Sequence, residues 1–236
     1  MPLIGSAERM KAGGPPYAWE PEHGTRVGIM PRSGSVQDIE WWQGPACYVF
    51  HVMNAWEEGD DLYLDVMQFE RPPLFPLPDG RPAAGPGEPA KLTRWHFDLR
   101  TPGRRFASRT LAKVSGEFPR IDERFTGRLY KHGWYVGNLP EPSGDIRMGC
   151  ALVHIDHSRP EPDMYVLPPG DRTSEAVFVP RDGSAPEGDG WLLAVLYRAA
   201  THTSELAVFD ARQVSAGPLC LAVLGHRVPD GFHGNW

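Results

Sequence analysis

Two histidines that are far apart in the sequence lie in segments that are typical of a metal site. His51 lies in Phe-His-Val-Met-Asn-Ala-Trp (50–56), and His233 lies in Val-Pro-Asp-Gly-Phe-His-Gly-Asn-Trp (228–236). Neutral imidazole is the commonest metal ligand in proteins, so the pair could form half of a metal site. Taken alone, a histidine in an aromatic run is more often a partly buried structural residue. The two residues by themselves leave both interpretations open.

Both segments resemble motifs of the carotenoid cleavage oxygenase family, and in particular its lignostilbene dioxygenases. The resemblance extends along the chain and covers the C-terminal half of a family member. The segments that show it are 26–32, 117–122, 174–181, 187–193, 204–211 and the tail, 228–236. In that family, four histidines hold a ferrous ion on the axis of a seven-bladed β-propeller. The resemblance therefore implies Fe²⁺ as the cofactor, with His51 as the third ligand and His233 as the fourth.

Two glutamates match the family's acidic residues. A metal-bound imidazole must be neutral and correctly oriented, so its other ring nitrogen usually donates to a carboxylate. The resemblance assigns this role to Glu117, which opens Glu-Phe-Pro-Arg-Ile-Asp, and to Glu175, which precedes an apolar strand. The alternative for each is a surface carboxylate at a strand end. A third glutamate and the first two histidines would lie upstream of Met1.

The resemblance implies a non-haem Fe(II) dioxygenase that uses O₂ to cleave an alkene C=C bond into two carbonyl products. The motifs favour a stilbene or an apocarotenoid as the substrate. Because half of the ligands would lie upstream, we expect the chain to be a fragment, inactive alone, whose partner is the missing N-terminal half. Two alternatives stay open: a non-catalytic propeller-like interaction module, and a β-sandwich that binds a hydrophobic ligand.

Several other residues could belong to a site. Aromatic side chains could line a substrate tunnel, although in a β core they usually serve packing; the candidates are Trp41, Trp42, Phe118 and Phe232, of which Phe118 and Phe232 adjoin the metal-site motifs. His154 and His157 form a His-Ile-Asp-His run. Zinc signatures need more ligands at defined spacing, so we interpret this run as a strand end that leads into a loop.

Composition excludes several classes of protein. The net charge is −6 and no Lys/Arg run is present, which argues against nucleic acid as a partner. Three cysteines are an odd number in apolar sequence, so we expect reduced core thiols. No apolar run approaches the roughly 18 residues of a membrane span, and no signal sequence is evident, so we predict a cytoplasmic protein and leave membrane contact open.

The candidate site residues lie in or beside short predicted strands. Apolar and alternating runs separated by turn signals predict strands at 47–56, 62–69, 92–99, 107–114, 129–136, 148–155, 164–167, 176–180, 191–197, 206–209 and 220–224. The Pro- and Gly-rich segment 72–88 predicts a long loop, either a lid or a passive surface loop. We predict one all-β domain over residues 1–236, the C-terminal three to four blades of a seven-bladed β-propeller.

Overall fold

The computed structural model describes residues 1–85, 89–101 and 103–235, and within these the fold is all-β, as predicted. The strands are β1 (Leu3–Gly5), β2 (Tyr17–Trp19), β3 (Thr25–Ile29), β4 (Glu40–Gly44), β5 (Tyr48–Glu58), β6 (Asp61–Phe69), β7 (Lys91–Asp98), β8 (Ala107–Ile121), β9 (His132–Pro140), β10 (Ile146–Asp156), β11 (Asp163–Val166), β12 (Arg172–Thr173), β13 (Val177–Pro180), β14 (Gly190–Arg198), β15 (Thr203–Asp210) and β16 (Cys220–Val223). The short helices are α1 (Ala7–Lys11) and 3₁₀ turns at Pro21–His23, Val36–Asp38, Glu123–Phe125 and Val214–Ala216. Within the described ranges, no helix is long and apolar enough to cross a membrane.

The strands form successive antiparallel meanders. One sheet has the order β11-β10-β9-β8-β7-β6-β5, and another has the order β12-β14-β15-β16, with β13 also paired to β14. Strand β8 serves two meanders, because residues 107–110 pair with β7 whereas residues 116–121 pair with β9. The described part of the chain thus contains three four-stranded units, namely β5 to the first half of β8, the second half of β8 to β11, and β12/β13 to β16. This is the connectivity of propeller blades.

The middle unit is covered on both faces, which explains its composition. Successive residues of a strand point to opposite faces. On β9, Tyr135 lies in a cluster with Met53 and Leu92, whereas its neighbour Trp134 lies in a second cluster. Trp134 stacks on Phe178 of the next unit with ring centroids 5.0 Å apart. These two aromatic residues therefore fix the packing of the middle unit against both neighbours.

A buried ion pair lies beside Tyr130, a member of the first of these clusters. Asp65 on β6 has no exposed side-chain surface and accepts two hydrogen bonds of 2.8 Å from the guanidinium of Arg94. The hydroxyl of Tyr130 donates to the same carboxylate at 2.6 Å. Because every one of these groups is at least partly buried, each depends on the others for its hydrogen bonds.

The structure corrects some of the predicted details. Trp42 is buried and packs edge-on against Phe97, with ring centroids 5.6 Å apart, so it belongs to the core and not to a tunnel. Trp41 is exposed on β4. Cys47 and Cys150 are buried free thiols as predicted, but Cys220 is exposed, because it lies on β16 at the outer edge of its sheet.

The described part of the long loop lacks extended strands, and the His-Ile-Asp-His run is a strand end that leads into a turn, as predicted. Residues 72–85 contain no strand longer than a bridge, and Ala83 and Phe75 pack onto the core next to Tyr48. The rest of the predicted loop, 86–88, lies outside the described residues, and its role as a lid stays a prediction. His154 is buried on β10, and His157 follows in the turn.

Candidate metal centre

The fold brings together the two histidines that are 182 residues apart in sequence. The Nε2 atoms of His51 and His233 are 3.2 Å apart, and their rings meet at 73°. His51 lies on β5, where the pairing register with β6 shifts between Val49 and Asn54. Such bulges commonly redirect a side chain next to a functional site. His233 lies on the tail that follows β16.

Glu117 holds the other ring nitrogen of His51. Its Oε2 atom lies 2.6 Å from Nδ1 of His51 and accepts a second hydrogen bond, of 2.9 Å, from the backbone N–H of Phe118. The register of β8 against β9 shifts just after Glu117, and Phe118 adopts a left-handed backbone with φ of 58°. A bulky residue in this region is strained, and such strain is typical of functional sites. The bulge therefore positions Glu117 toward His51.

Glu175 makes the equivalent contact with His233. It lies between β12 and β13, and its side chain is 4% exposed. Its Oε1 atom lies 3.1 Å from Nδ1 of His233, and its Oε2 atom accepts a 3.0 Å hydrogen bond from the backbone N–H of Gly234. Each histidine thus has its own carboxylate at Nδ1, and the two Nε2 atoms face one another.

The electrostatics of the pair favour a cation between the rings. A neutral imidazole that donates from Nδ1 has an unprotonated acceptor at Nε2. Two acceptors 3.2 Å apart repel one another unless a proton or a metal ion lies between them. The hydrogen bond to Glu117 raises the pKa of His51, although burial opposes this. The carboxylates of Glu117 and Glu175 also contribute to the rise through their charge.

The spacing of the two nitrogens fits one bound ion. Nitrogen ligands at about 2.1 Å from a metal lie about 3.0 Å apart at a right angle and about 3.4 Å apart at a tetrahedral angle. The observed 3.2 Å falls between these values. Imidazole ligands suit zinc, copper, iron and nickel. The side chains of His51 and His233 therefore fit a divalent transition-metal ion, with Glu117 and Glu175 setting the tautomer of each ring.

A cavity of about 610 Å³ lies beside the site, and His233, Glu117 and Glu175 contribute to its wall. Most of its wall is apolar, including the side chains of Met148, Leu193, Leu206, Phe118 and Phe232. The ring of Phe118 lies 5.2 Å from that of His51. The two phenylalanines predicted to bind substrate thus line a cavity that has His233 in its wall, and their binding role stays a prediction.

Two residues at the site were missed in the sequence. Arg120 lies three positions after Glu117 and donates from Nη1 to Oε2 of Glu175 and to the carbonyl of Gly234, both at 3.1 Å. Asn54 is buried on β5 and donates to the carbonyl of Arg128 at 3.0 Å, which joins the strand of His51 to a turn. Asn54 is a polar residue inside the apolar run around His51, and this was its signal in the sequence. Arg120 had no comparable signal, because its segment Glu-Phe-Pro-Arg-Ile-Asp mixes charged and apolar residues.

Comparison with known proteins agrees with this architecture. The family model of the retinal pigment epithelial membrane protein matches residues 1–236. The chain is 36% identical over 248 residues to isoeugenol monooxygenase of Pseudomonas putida and 34% identical over 249 residues to lignostilbene-alpha,beta-dioxygenase isozyme III of Sphingomonas paucimobilis. In both cases the alignment covers 100% of the chain and 51% of the relative. The chain therefore spans about half the length of these relatives.

Solved structures give the same result. The lignostilbene dioxygenase of Pseudomonas brassicacearum superimposes with a TM-score of 0.90 at 30% identity, covering 99% of this chain and 51% of that one. The cobalt-substituted apocarotenoid oxygenase of Synechocystis superimposes with a TM-score of 0.81 at 26% identity, covering 94% and 45%. These matches confirm the predicted part of a β-propeller and show that the β-sandwich alternative is wrong. The chain belongs to the retinal pigment epithelial membrane protein family, which is also the family of the carotenoid cleavage oxygenases.

Proposed function

We propose that this chain provides two histidine ligands, His51 and His233, to a ferrous ion in an enzyme that cleaves an alkene with O₂ into two carbonyl products. The observation that carries the proposal is the convergence of the two Nε2 atoms at 3.2 Å, with each Nδ1 on its own carboxylate. Surface or core histidines have no reason to share this arrangement. A non-catalytic interaction module would not need it.

The relatives support both the reaction class and the metal. Their names describe oxygenases that act on isoeugenol and lignostilbene, and one solved relative is cobalt-substituted. Divalent first-row metals such as cobalt and iron can share one set of nitrogen ligands, so a site built from imidazoles is compatible with either. Ferrous iron, when bound, would supply the activation of O₂ that splitting a C=C bond requires.

The residues of this chain orient the imidazole ligands, shield them from water and hold the metal ion. Glu117 and Glu175 keep Nδ1 of each ring protonated, which directs the lone pair of each Nε2 toward the metal position. The ring of Phe118 lies 5.2 Å from the ring of His51 and 5.9 Å from that of His233, so it excludes water from one side of both ligands. An apolar alkene would pack against the same surface.

The proposed substrate is an alkene conjugated to an aromatic ring. Isoeugenol and lignostilbene, in the names of the relatives, both have this chemistry. The cavity beside His233 is mostly apolar, which suits an aryl group. An apocarotenoid is the second candidate, because an apocarotenoid oxygenase has the same architecture.

The proposed partner is the half of the propeller that the relatives have and the alignment does not cover. Two imidazoles provide too few ligands for tight binding of iron. Val52, one residue from His51 on the strand β5, is 51% exposed, and Phe50 on its other side is 38% exposed. These apolar side chains are available for contact with further blades, which would bring the remaining ligands to the same axis.

A chimera tests the proposal. The half of the Pseudomonas brassicacearum enzyme that this chain does not match would be fused upstream of it, because the matched halves superimpose closely. We expect the anaerobically Fe(II)-loaded chimera to consume O₂ and release two aldehydes from a lignostilbene. Variants with His51→Ala or His233→Ala should be folded and inactive. A folded chimera that contains iron and yields neither aldehyde would contradict the proposed reaction.

A further inference from the structure

We propose that Arg120 is a positioning residue that holds His233 at the metal centre, acting through Glu175 and the backbone of the tail. The inference rests on the proposed function, because it concerns the same site. The fold holds the two ligands differently: His51 is part of a long strand, whereas His233 lies on a tail whose described residues after β16 have no regular secondary structure.

The tail needs an anchor near its end. Its first part is fixed to β15, where the backbone N–H of Ser204 donates to the carbonyl of His226 at 2.9 Å and the Ser204 hydroxyl accepts from the N–H of Val228 at 3.0 Å. Residues 229–235 are exposed, and the side chain of His233 is 56% exposed. A segment with so little buried surface is held mainly by hydrogen bonds at its ends.

Arg120 provides hydrogen bonds at that end. Its side chain is 16% exposed and extends from β8, the strand that also carries Glu117. Its Nη1 atom lies 3.1 Å from Oε2 of Glu175 and 3.1 Å from the carbonyl oxygen of Gly234. Its Nη2 atom donates to Glu123. The guanidinium thus joins the sheet to the carboxylate of Glu175 and to the residue next to His233.

The chemistry of the contact requires arginine. Glu175 is nearly buried, and a buried carboxylate is stable only when it is paired and hydrogen-bonded. Arg120 and the N–H of Gly234 both bind Oε2, which leaves Oε1 for Nδ1 of His233. A planar guanidinium can serve Glu175, Gly234 and Glu123 at once, whereas a lysine ammonium is a point charge on a flexible stem. Arg120 therefore sets the orientation of Glu175 and, through it, that of His233.

The test compares Arg120→Gln with a matched control, Arg124→Gln. The guanidinium of Arg124 is in the same segment and binds Asp122 and the carbonyl of Ala185 instead. The first readout is the proton–nitrogen NMR correlation of the histidine ring nitrogens in the metal-free chain. The second is the dissociation constant for Co²⁺ in competition with a chelator.

In Arg120→Gln we expect the Nδ1–H signal of His233 to average out while that of His51 persists, and the Co²⁺ affinity to fall ten- to a hundredfold. Arg120→Lys should be intermediate, and Arg124→Gln should match the wild type in both readouts. Unchanged His233 signals and Co²⁺ affinity in Arg120→Gln would overturn the proposal. Equal loss of the His51 and His233 signals would also overturn it, because the role would then be general stability.

The same experiment separates this inference from the proposed function. If His51→Ala and His233→Ala bind Co²⁺ as tightly as the wild type, the metal site fails as proposed. The metal-free ring-nitrogen signals of Arg120→Gln still decide whether Arg120 positions His233, since they do not depend on any bound ion.

Discussion

Replacing each carboxylate by its amide should weaken metal binding unequally. Oε2 of Glu117 accepts both of that residue's hydrogen bonds, and its buried Oε1 has no hydrogen-bond partner among the described residues. In Glu117→Gln, the amide oxygen can take the place of Oε2 and keep both hydrogen bonds, while the NH₂ group takes the place of Oε1, where no described donor loses its acceptor. Exchanging a charged acceptor for a neutral one costs about 1.4 kcal/mol, which is about a tenfold loss of affinity.

Glu175→Gln should cost more. Both oxygens of Glu175 accept hydrogen bonds, from His233 at Oε1 and from Gly234 and Arg120 at Oε2. An amide that keeps its oxygen toward His233 directs its NH₂ group at two donors, and a donor left without an acceptor costs a further 1–3 kcal/mol or so. We therefore expect about a hundredfold or greater loss of affinity.

Anaerobic titration of this chain with Co²⁺ against a chelator measures both changes, and circular dichroism confirms that each variant is folded. Asp182→Asn on an exposed loop is the control for loss of one carboxylate charge. Equal losses for the two variants, or a larger loss for Glu117→Gln, would refute the assignment of acceptors on which the difference rests.

Three further predictions concern stability, each measured by urea unfolding. Asp65→Asn should destabilise the chain by about 3–5 kcal/mol, because it leaves the Arg94 guanidinium without its buried partner; a loss under 1 kcal/mol would contradict this. Burial lowers the pKa of His154 to about 4 from 6.5. The unfolded chain therefore binds the proton of His154 more readily than the folded chain does. The neutral, buried imidazole thus contributes about 3 kcal/mol to the free energy of unfolding above pH 6.5, and this contribution is lost as pH falls to 4. In His154→Gln, the free energy of unfolding should depend less on pH over this range. Phe118→Gly should be about 1 kcal/mol more stable than Phe118→Ala, since φ is 58° there; equal stabilities would argue against backbone strain.

The positions of the longer strands could be predicted from the sequence, whereas the full length of each strand could not. The predicted strands at 47–56 and 62–69 correspond to β5 and β6, and the turn between them lies at 59–60. The prediction of 107–114 ended β8 too early, because Gly116 and Pro119 read as breaks. In the fold β8 passes from one unit to the next at Ser115, which pairs with both β7 and β9, and Gly116 and Pro119 lie just beyond this point, before and within the bulge. The short strands β1–β4 were missed since three to five residues carry little periodicity.

The main residues of the candidate site could be predicted from the sequence because they lie in recognisable motifs. His51, His233, Glu117 and Glu175 were identified by resemblance, and the fold places each histidine against one glutamate. Arg120 was missed, because an arginine on a strand is usually solvated and only the position of the tail shows its partners. The exposure of Cys220 was also missed, since it depends on β16 being an outer edge.

The measurement that bears most directly on the two ligands is the iron content of the chimera after anaerobic Fe(II) equilibrium dialysis, determined by elemental analysis beside its His51→Ala, His233→Ala and control His202→Ala variants. His202 is a surface histidine that contacts Tyr197. We predict that iron associates with the unsubstituted chimera and with the control and is lost in both site variants. Iron retained equally in all four proteins would contradict the assignment of His51 and His233 as ligands.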